Sequence, residues 1–163
     1  MNIYLYPAPS KNARFFDEYY SALLNKKDEQ IIVRVLQPKN KIGEKIFNFI
    51  INRLGHRFPK LPAMAVNYLL RNDKTGVVHF TTQLSVIPDI KNKFIFTYHD
   101  VFHMQPQFTG KFFDEKTLNR IDEAYNKAEF IITDSNFSRS ILKLYYKELK
   151  KNICCAYPCS TKF

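Results

Sequence analysis

The sequence predicts an α/β fold, a single Rossmann-like domain with a mostly parallel sheet and helices on both faces. Three observations carry this. Short runs rich in β-branched and aromatic residues alternate with stretches of helical period, which is the pattern of βαβ units. Most of those runs are continuously apolar and do not alternate with polar residues, as expected of parallel strands covered on both sides. The length of 163 residues, with 45% hydrophobic and 15% aromatic content, suits one domain around one sizeable core.

The elements follow in order. Residues 2–6 (Asn-Ile-Tyr-Leu-Tyr) form the first expected strand, and Pro7 ends it. The start lacks a basic n-region and a long apolar h-region, so it reads as core strand and not as signal peptide. Phe16, Tyr19, Tyr20, Leu23 and Leu24 then line one face of a helix. The second strand is expected at 31–36.

The stretch 43–72 is less regular, and Pro59 and Pro62 divide it into two helices. The first of these has a broad apolar face (Ile46, Phe47, Phe49, Ile50, Ile51, Leu54) flanked by basic residues. Packing against the sheet is the preferred reading of that face, and contact with an anionic membrane surface is the other. Further strands are expected at 77–80, 94–98, 130–133 and 153–157. The helix between the second and third of this set begins near Asp114 and turns Leu118, Ile121, Tyr125 and Ala128 inward. The last helix, capped by Ser135, carries the stripe Phe137, Ile141, Leu144, Tyr145 and Leu149.

Charge and cysteine usage narrow the setting. Lys and Arg outnumber Asp and Glu by 25 to 15, a net charge of +10. The excess concentrates at Arg34, Lys39, Lys41, Lys45, Arg53, Arg57 and Lys60, opposed there by Glu44 alone. Such a surface attracts phosphates, nucleic acid or anionic headgroups, and a solvated lysine face is the plainer alternative. Cys154, Cys155 and Cys159 are odd in number and lack zinc-ligand spacing, so Cys154 and Cys155, on a strand, read as ordinary buried small residues in a reducing, cytosolic setting. No apolar run is long enough to span a membrane.

Chemistry is expected at the strand ends, because ligands of open α/β sheets bind outside the carboxyl ends of the strands. His99 and Asp100 follow one strand. The imidazole can donate to a sugar hydroxyl or phosphate, with Asp100 orienting it or capping the turn, and His103 lies in the irregular stretch beyond. Thr81, Thr82 and Gln83 follow another strand and suit a hydroxyl-rich acceptor, although threonines cap helices more often. Ser135 and Asn136 open the last helix, whose free N–H groups favour an anion. His79, inside its strand, reads as packed. The chain has no G-x-S-x-G elbow, P-loop or G-x-G-x-x-G fingerprint.

In order, Val78-His79-Phe80-Thr81-Thr82-Gln83, Thr97-Tyr98-His99-Asp100, Ser135-Asn136-Phe137-Ser138 and Tyr157-Pro158 resemble the N-terminal domain of group 1 (family 4) glycosyltransferases, which have the two-domain GT-B fold. The resemblance covers the second half of the chain in motifs and the first half in topology. It implies retaining sugar transfer from a nucleotide-sugar donor to a hydroxyl acceptor, with no metal or other cofactor. It places His99 near the transferred sugar and Ser10, Lys11 and Asn12 where a glycine-rich loop normally approaches the donor phosphates. Those glycines are lacking here, which hinders close backbone approach.

The expectation is one domain over residues 1–163, equivalent to the acceptor-side half, without the donor-binding domain and its E-x7-E motif. A donor-binding domain or subunit is the implied partner, and the isolated chain is expected to be inactive. A non-catalytic binding or scaffolding module, using the basic stretch for anionic membrane or nucleic acid, is the alternative. Of these two surfaces nucleic acid is not favoured.

Overall fold

Among the described residues six strands form one sheet, and every neighbouring pair is parallel. They are β1 (Asn2–Tyr6), β2 (Ile32–Val35), β3 (Val77–Phe80), β4 (Phe94–Tyr98), β5 (Phe130–Thr133) and β6 (Ile153–Cys155). The spatial order is β2-β1-β3-β4-β5-β6, so the chain reverses direction across the sheet between β1 and β3. The computed structural model describes residues 1–6, 30–55, 57–58, 60–99, 114–146 and 152–156. The helix expected around Phe16, together with Leu149 and Cys159, lies outside them.

Among the described residues the helices are α1 (Lys41–Phe49), which runs on into π-helical turns at Ile50–Leu54, then α2 (Lys60–Leu69), α3 (Glu115–Lys127) and α4 (Asn136–Tyr145). Each start has a local cause. The side chains of Asn40, Asp114 and Ser135 accept from the backbone N–H groups of Gly43, Thr117 and Ser138, filling a donor the helix itself leaves open. Pro62 sits in the first turn of α2, where its missing N–H costs no helical bond. The π-helical turns close with the Gly55 N–H on the Ile50 carbonyl at 2.8 Å.

Strand alternation and register divide the sheet into two unlike faces. On one face Tyr6, Phe80, Phe96 and Ile131 stand side by side across four neighbouring strands. All four belong to the core cluster, with Phe47 of α1, Val66 of α2, Ile121 and Tyr125 of α3 and Leu142 of α4. The steps from β2 to β3 and on to β6 all run the same way, so right-handed crossovers bring these helices to this face. Aromatic rings knit it together: Tyr6 and Phe80 lie 5.1 Å apart, and Phe80 meets Phe94 edge-on at 5.7 Å. Such pairs contribute about 1 kcal/mol each beyond their burial.

The opposite face is different. Ile95, Phe130 and Ile132 are only half-buried, while His79, Thr81 and Thr97 form a buried polar row among them. His79 is packed, as its place inside the strand suggests, with Nε2 2.9 Å from the Thr97 hydroxyl.

Three sequence expectations need correcting. The expected apolar face packs on the sheet only in part: Phe47 joins the core cluster and Ile51 packs against it, while Ile46 and Phe49 are exposed, as is Ile42 of the same helix. Spacing reveals a stripe but not its direction, and here the residues at i, i+4 and i+7 face away from Phe47. In α4 the stripe likewise turns outward at Phe137, Leu144 and Tyr145, because Ser138 and Leu142 take the inward positions. Cys154 and Cys155 are half-buried rather than buried, since β6 is an edge strand.

Candidate functional site

Register assembles the candidate site. Tyr98 of β4 pairs with Thr133 of β5, so the next residues, His99 and Asp134, emerge together at the carboxyl edge. Their side chains meet there, His99 Nδ1 lying 3.1 Å from Asp134 Oδ2. On the other flank Nε2 is 2.8 Å from the Thr81 carbonyl, just beyond β3. Both partners are acceptors, so a neutral ring, with one N–H, serves only one of them and a doubly protonated ring serves both.

The backbone of His99 is held as firmly as its ring. Its N–H donates to Gln83 Oε1 at 3.2 Å, and its carbonyl accepts from Ser138 Oγ at 3.1 Å. Ser138 is fixed in turn, because its N–H donates to Ser135 Oγ, and Ser135 Oγ donates to Ser138 Oγ. Three strand ends and the first turn of α4 therefore position one imidazole. Its side chain remains 19% exposed, beside an Asp134 that is 28% exposed.

The expected site residues fall into distinct places. Thr81 and Gln83 are buried, and they spend their polar groups inside the fold. The Thr81 hydroxyl donates to the Tyr6 carbonyl at 3.2 Å, while Gln83 braces His99. Thr82 is half-buried and caps the short turn Gln83–Ser85 by accepting from the Leu84 N–H. Ser135 caps α4, and Asn136 opens it at the surface. Asp100, His103, Ser10, Lys11 and Asn12 lie outside the described residues.

Two neighbours escaped the sequence reading. Asp134, immediately before the Ser135-Asn136-Phe137-Ser138 motif, supplies the carboxylate on the ring, a role that only the β4–β5 register reveals. Arg120, on α3, reaches back to the same edge and donates from Nη2 to the Leu84 carbonyl at 2.8 Å. Its Nε is buried without a hydrogen-bond partner among the described residues. Burial lowers the Arg120 pKa from its ordinary value, against the raising effect of Asp114 and Tyr6. A guanidinium with a spare buried donor is suited to an incoming anion. An arginine on an amphipathic helix gives no sequence signal for this.

His79 lies deeper on the same face. Burial, and after it the charge of His99, pull its pKa from the ordinary 6.5 down to about 4. It is thus neutral at physiological pH, with the Thr97 hydroxyl as partner. Among the described residues no three His, Cys, Asp or Glu side chains converge as metal ligands. Chemically the site offers an oriented imidazole–carboxylate pair, a guanidinium and a helix N-terminus along one edge of a parallel sheet. Compared with protein-family models, curated proteins and solved structures, the chain finds no match.

Proposed function

We propose that this domain is the acceptor-side half of a retaining, nucleotide-sugar-dependent glycosyltransferase, working against a donor-binding domain or subunit that closes the cleft. The observation that carries the reading is His99: a partly exposed imidazole at the carboxyl edge, fixed by Asp134 on one nitrogen and the Thr81 carbonyl on the other. A ring oriented in this way can donate a hydrogen bond to a hydroxyl of the migrating sugar.

The chemistry assigns each neighbour a task. Asp134 holds the ring orientation and stabilises positive charge on it. A substrate hydroxyl or glycosidic oxygen reaches Nε2 by displacing, or sharing with, the Thr81 carbonyl. Thr81, Gln83 and Ser138 act as positioning residues, because their polar groups bind His99 or the backbone. Arg120 and the N-terminus of α4 meet the phosphate charge of the donor. Fixed donors and charges at such an edge favour the transition state because they need no reorganisation when the bond breaks.

Amide NMR of the labelled chain, titrated with nucleoside diphosphates, nucleotide-sugars and simple glycosides, tests this reading. Shifts should cluster at residues 81–84, 99 and 134–138 and should disappear in His99→Ala. Shifts confined to other surfaces, or none at millimolar ligand, would count against it.

A further inference from the structure

The face made by α1, its π-helical turns and α2 carries a second feature, at the β2 edge of the sheet. Ile42 is 74% exposed and Met64 63%, and Ile46, Phe49, Phe58 and Tyr68 are exposed with them. A soluble surface tolerates single apolar residues, but a contiguous set marks a contact site.

Ile46, Met64 and Tyr68 of this set also line a groove of about 1320 Å³, while Ile42, Phe49 and Phe58 lie outside it. Ile46 and Ile50 line one side, Met64, Ala65 and Tyr68 the other, and Val35 and Leu36 of β2 the sheet side. Arg34, Lys39 and Arg71 line the same groove. Arg71 is held by stacking 4.1 Å above the Tyr68 ring while Nη1 donates to the Tyr68 carbonyl.

Charge identifies the occupant. Lys41 and Lys45 of α1, Arg53 of its π-helical turns, Arg57 beyond them and Lys60 of α2 add five exposed cations. Among the described residues the carboxylates here are Glu44, exposed on α1, and Asp73, which lines the groove. Asp73 is already bound by Asn2 Nδ2 at 2.7 Å and by the Tyr4 hydroxyl at 2.9 Å. Cations beside exposed aliphatic and aromatic side chains suit a lipid surface, where the former meet headgroup phosphates and the latter enter the acyl boundary. Nucleic acid would use the cations and leave Ile42, Phe49 and Met64 in water.

We propose that this face docks on an anionic lipid bilayer, with the exposed apolar side chains of α1 and α2 seated at the headgroup–acyl boundary and the neighbouring cations against lipid phosphates. The inference stands apart from the glycosyltransferase reading. β4, which carries His99 at its end, lies three strands away from β2, about 14 Å across the sheet, so docking leaves the carboxyl edge open.

Co-sedimentation of the full chain with vesicles tests the proposal, using phosphatidylcholine alone and phosphatidylcholine with about 30% phosphatidylglycerol. Binding is expected to the anionic vesicles and not to the neutral ones. Lys41→Ala with Lys45→Ala should weaken it roughly 25-fold, about fivefold for each charge. Ile42→Ser with Phe49→Ser should abolish it while leaving the melting temperature unchanged, since both side chains are exposed.

The chain contains no tryptophan, so Phe49→Trp gives an independent reporter, with Leu144→Trp on α4 as the control. The Phe49→Trp emission should shift to the blue on anionic vesicles, and the Leu144→Trp emission should stay as in buffer. Equal binding to both vesicles, no binding to either, or indifference to Ile42→Ser with Phe49→Ser would overturn the proposal. So would salt-dependent binding of duplex DNA or RNA that those two substitutions leave intact.

Discussion

Acidification should unload stability through one side chain, His79. Its pKa falls from 6.5 in the unfolded chain to about 4 in the fold, chiefly through burial. Between those values the unfolded chain binds a proton that the folded chain refuses. The stabilising contribution is therefore complete above about pH 6.5 and is lost progressively down to pH 4. Each tenfold change in proton affinity is worth about 1.4 kcal/mol, so the loss across the window is about 3 kcal/mol. Against a typical domain stability of roughly 5–15 kcal/mol that is a large share.

His79→Gln keeps a donor and an acceptor near the Thr97 hydroxyl but cannot titrate. Urea unfolding of both proteins, followed by circular dichroism at pH 7, 6, 5 and 4 and constant ionic strength, separates the effects. The substitution should cost a fixed amount at every pH. The wild type should lose about 3 kcal/mol more than the variant on going from pH 7 to 4. Parallel curves would refute the reasoning, because every other titrating group is common to both proteins.

Other outcomes follow from single contacts. A Cβ added at Gly76 would lie 2.5 Å from the Tyr4 ring, whose hydroxyl is tied to Asp73, so Gly76→Ala should cost about 1–3 kcal/mol by chemical denaturation. Ser135→Ala removes the cap of α4 and the partner of the Ser138 N–H, and should cost about 1 kcal/mol in the same measurement. Asp134→Asn keeps a hydrogen-bonding group near His99 but removes the charge. Its melting temperature should stay within a few degrees, while any transfer rate falls on the order of 100-fold.

The strands were readily legible in the sequence. Parallel strands read as unbroken apolar runs, and 2–6, 77–80, 94–98 and 130–133 match β1, β3, β4 and β5 to the residue. The edge strands are shorter than expected, Ile32–Val35 against 31–36 and Ile153–Cys155 against 153–157, because an edge loses ladder partners on one side. His99 was visible as a polar residue at a strand end. Asp134 was not, since its role depends on the register that sets Tyr98 against Thr133. Arg120 depends on how far α3 leans over the sheet edge, and the outward faces of α1 and α4 on helix rotation. Neither is written in periodicity.

The most direct test of the central claim is sugar transfer itself. Nucleoside diphosphate release from UDP-, GDP- and ADP-sugars should be measured with the protein purified, in whatever complex it forms, from its own cells carrying the wild-type or the His99→Ala chain. The expected result is release by the wild type that falls roughly 100-fold or more in His99→Ala. Equal rates from the two, or no release with any donor, would contradict it and leave a domain that binds without transferring.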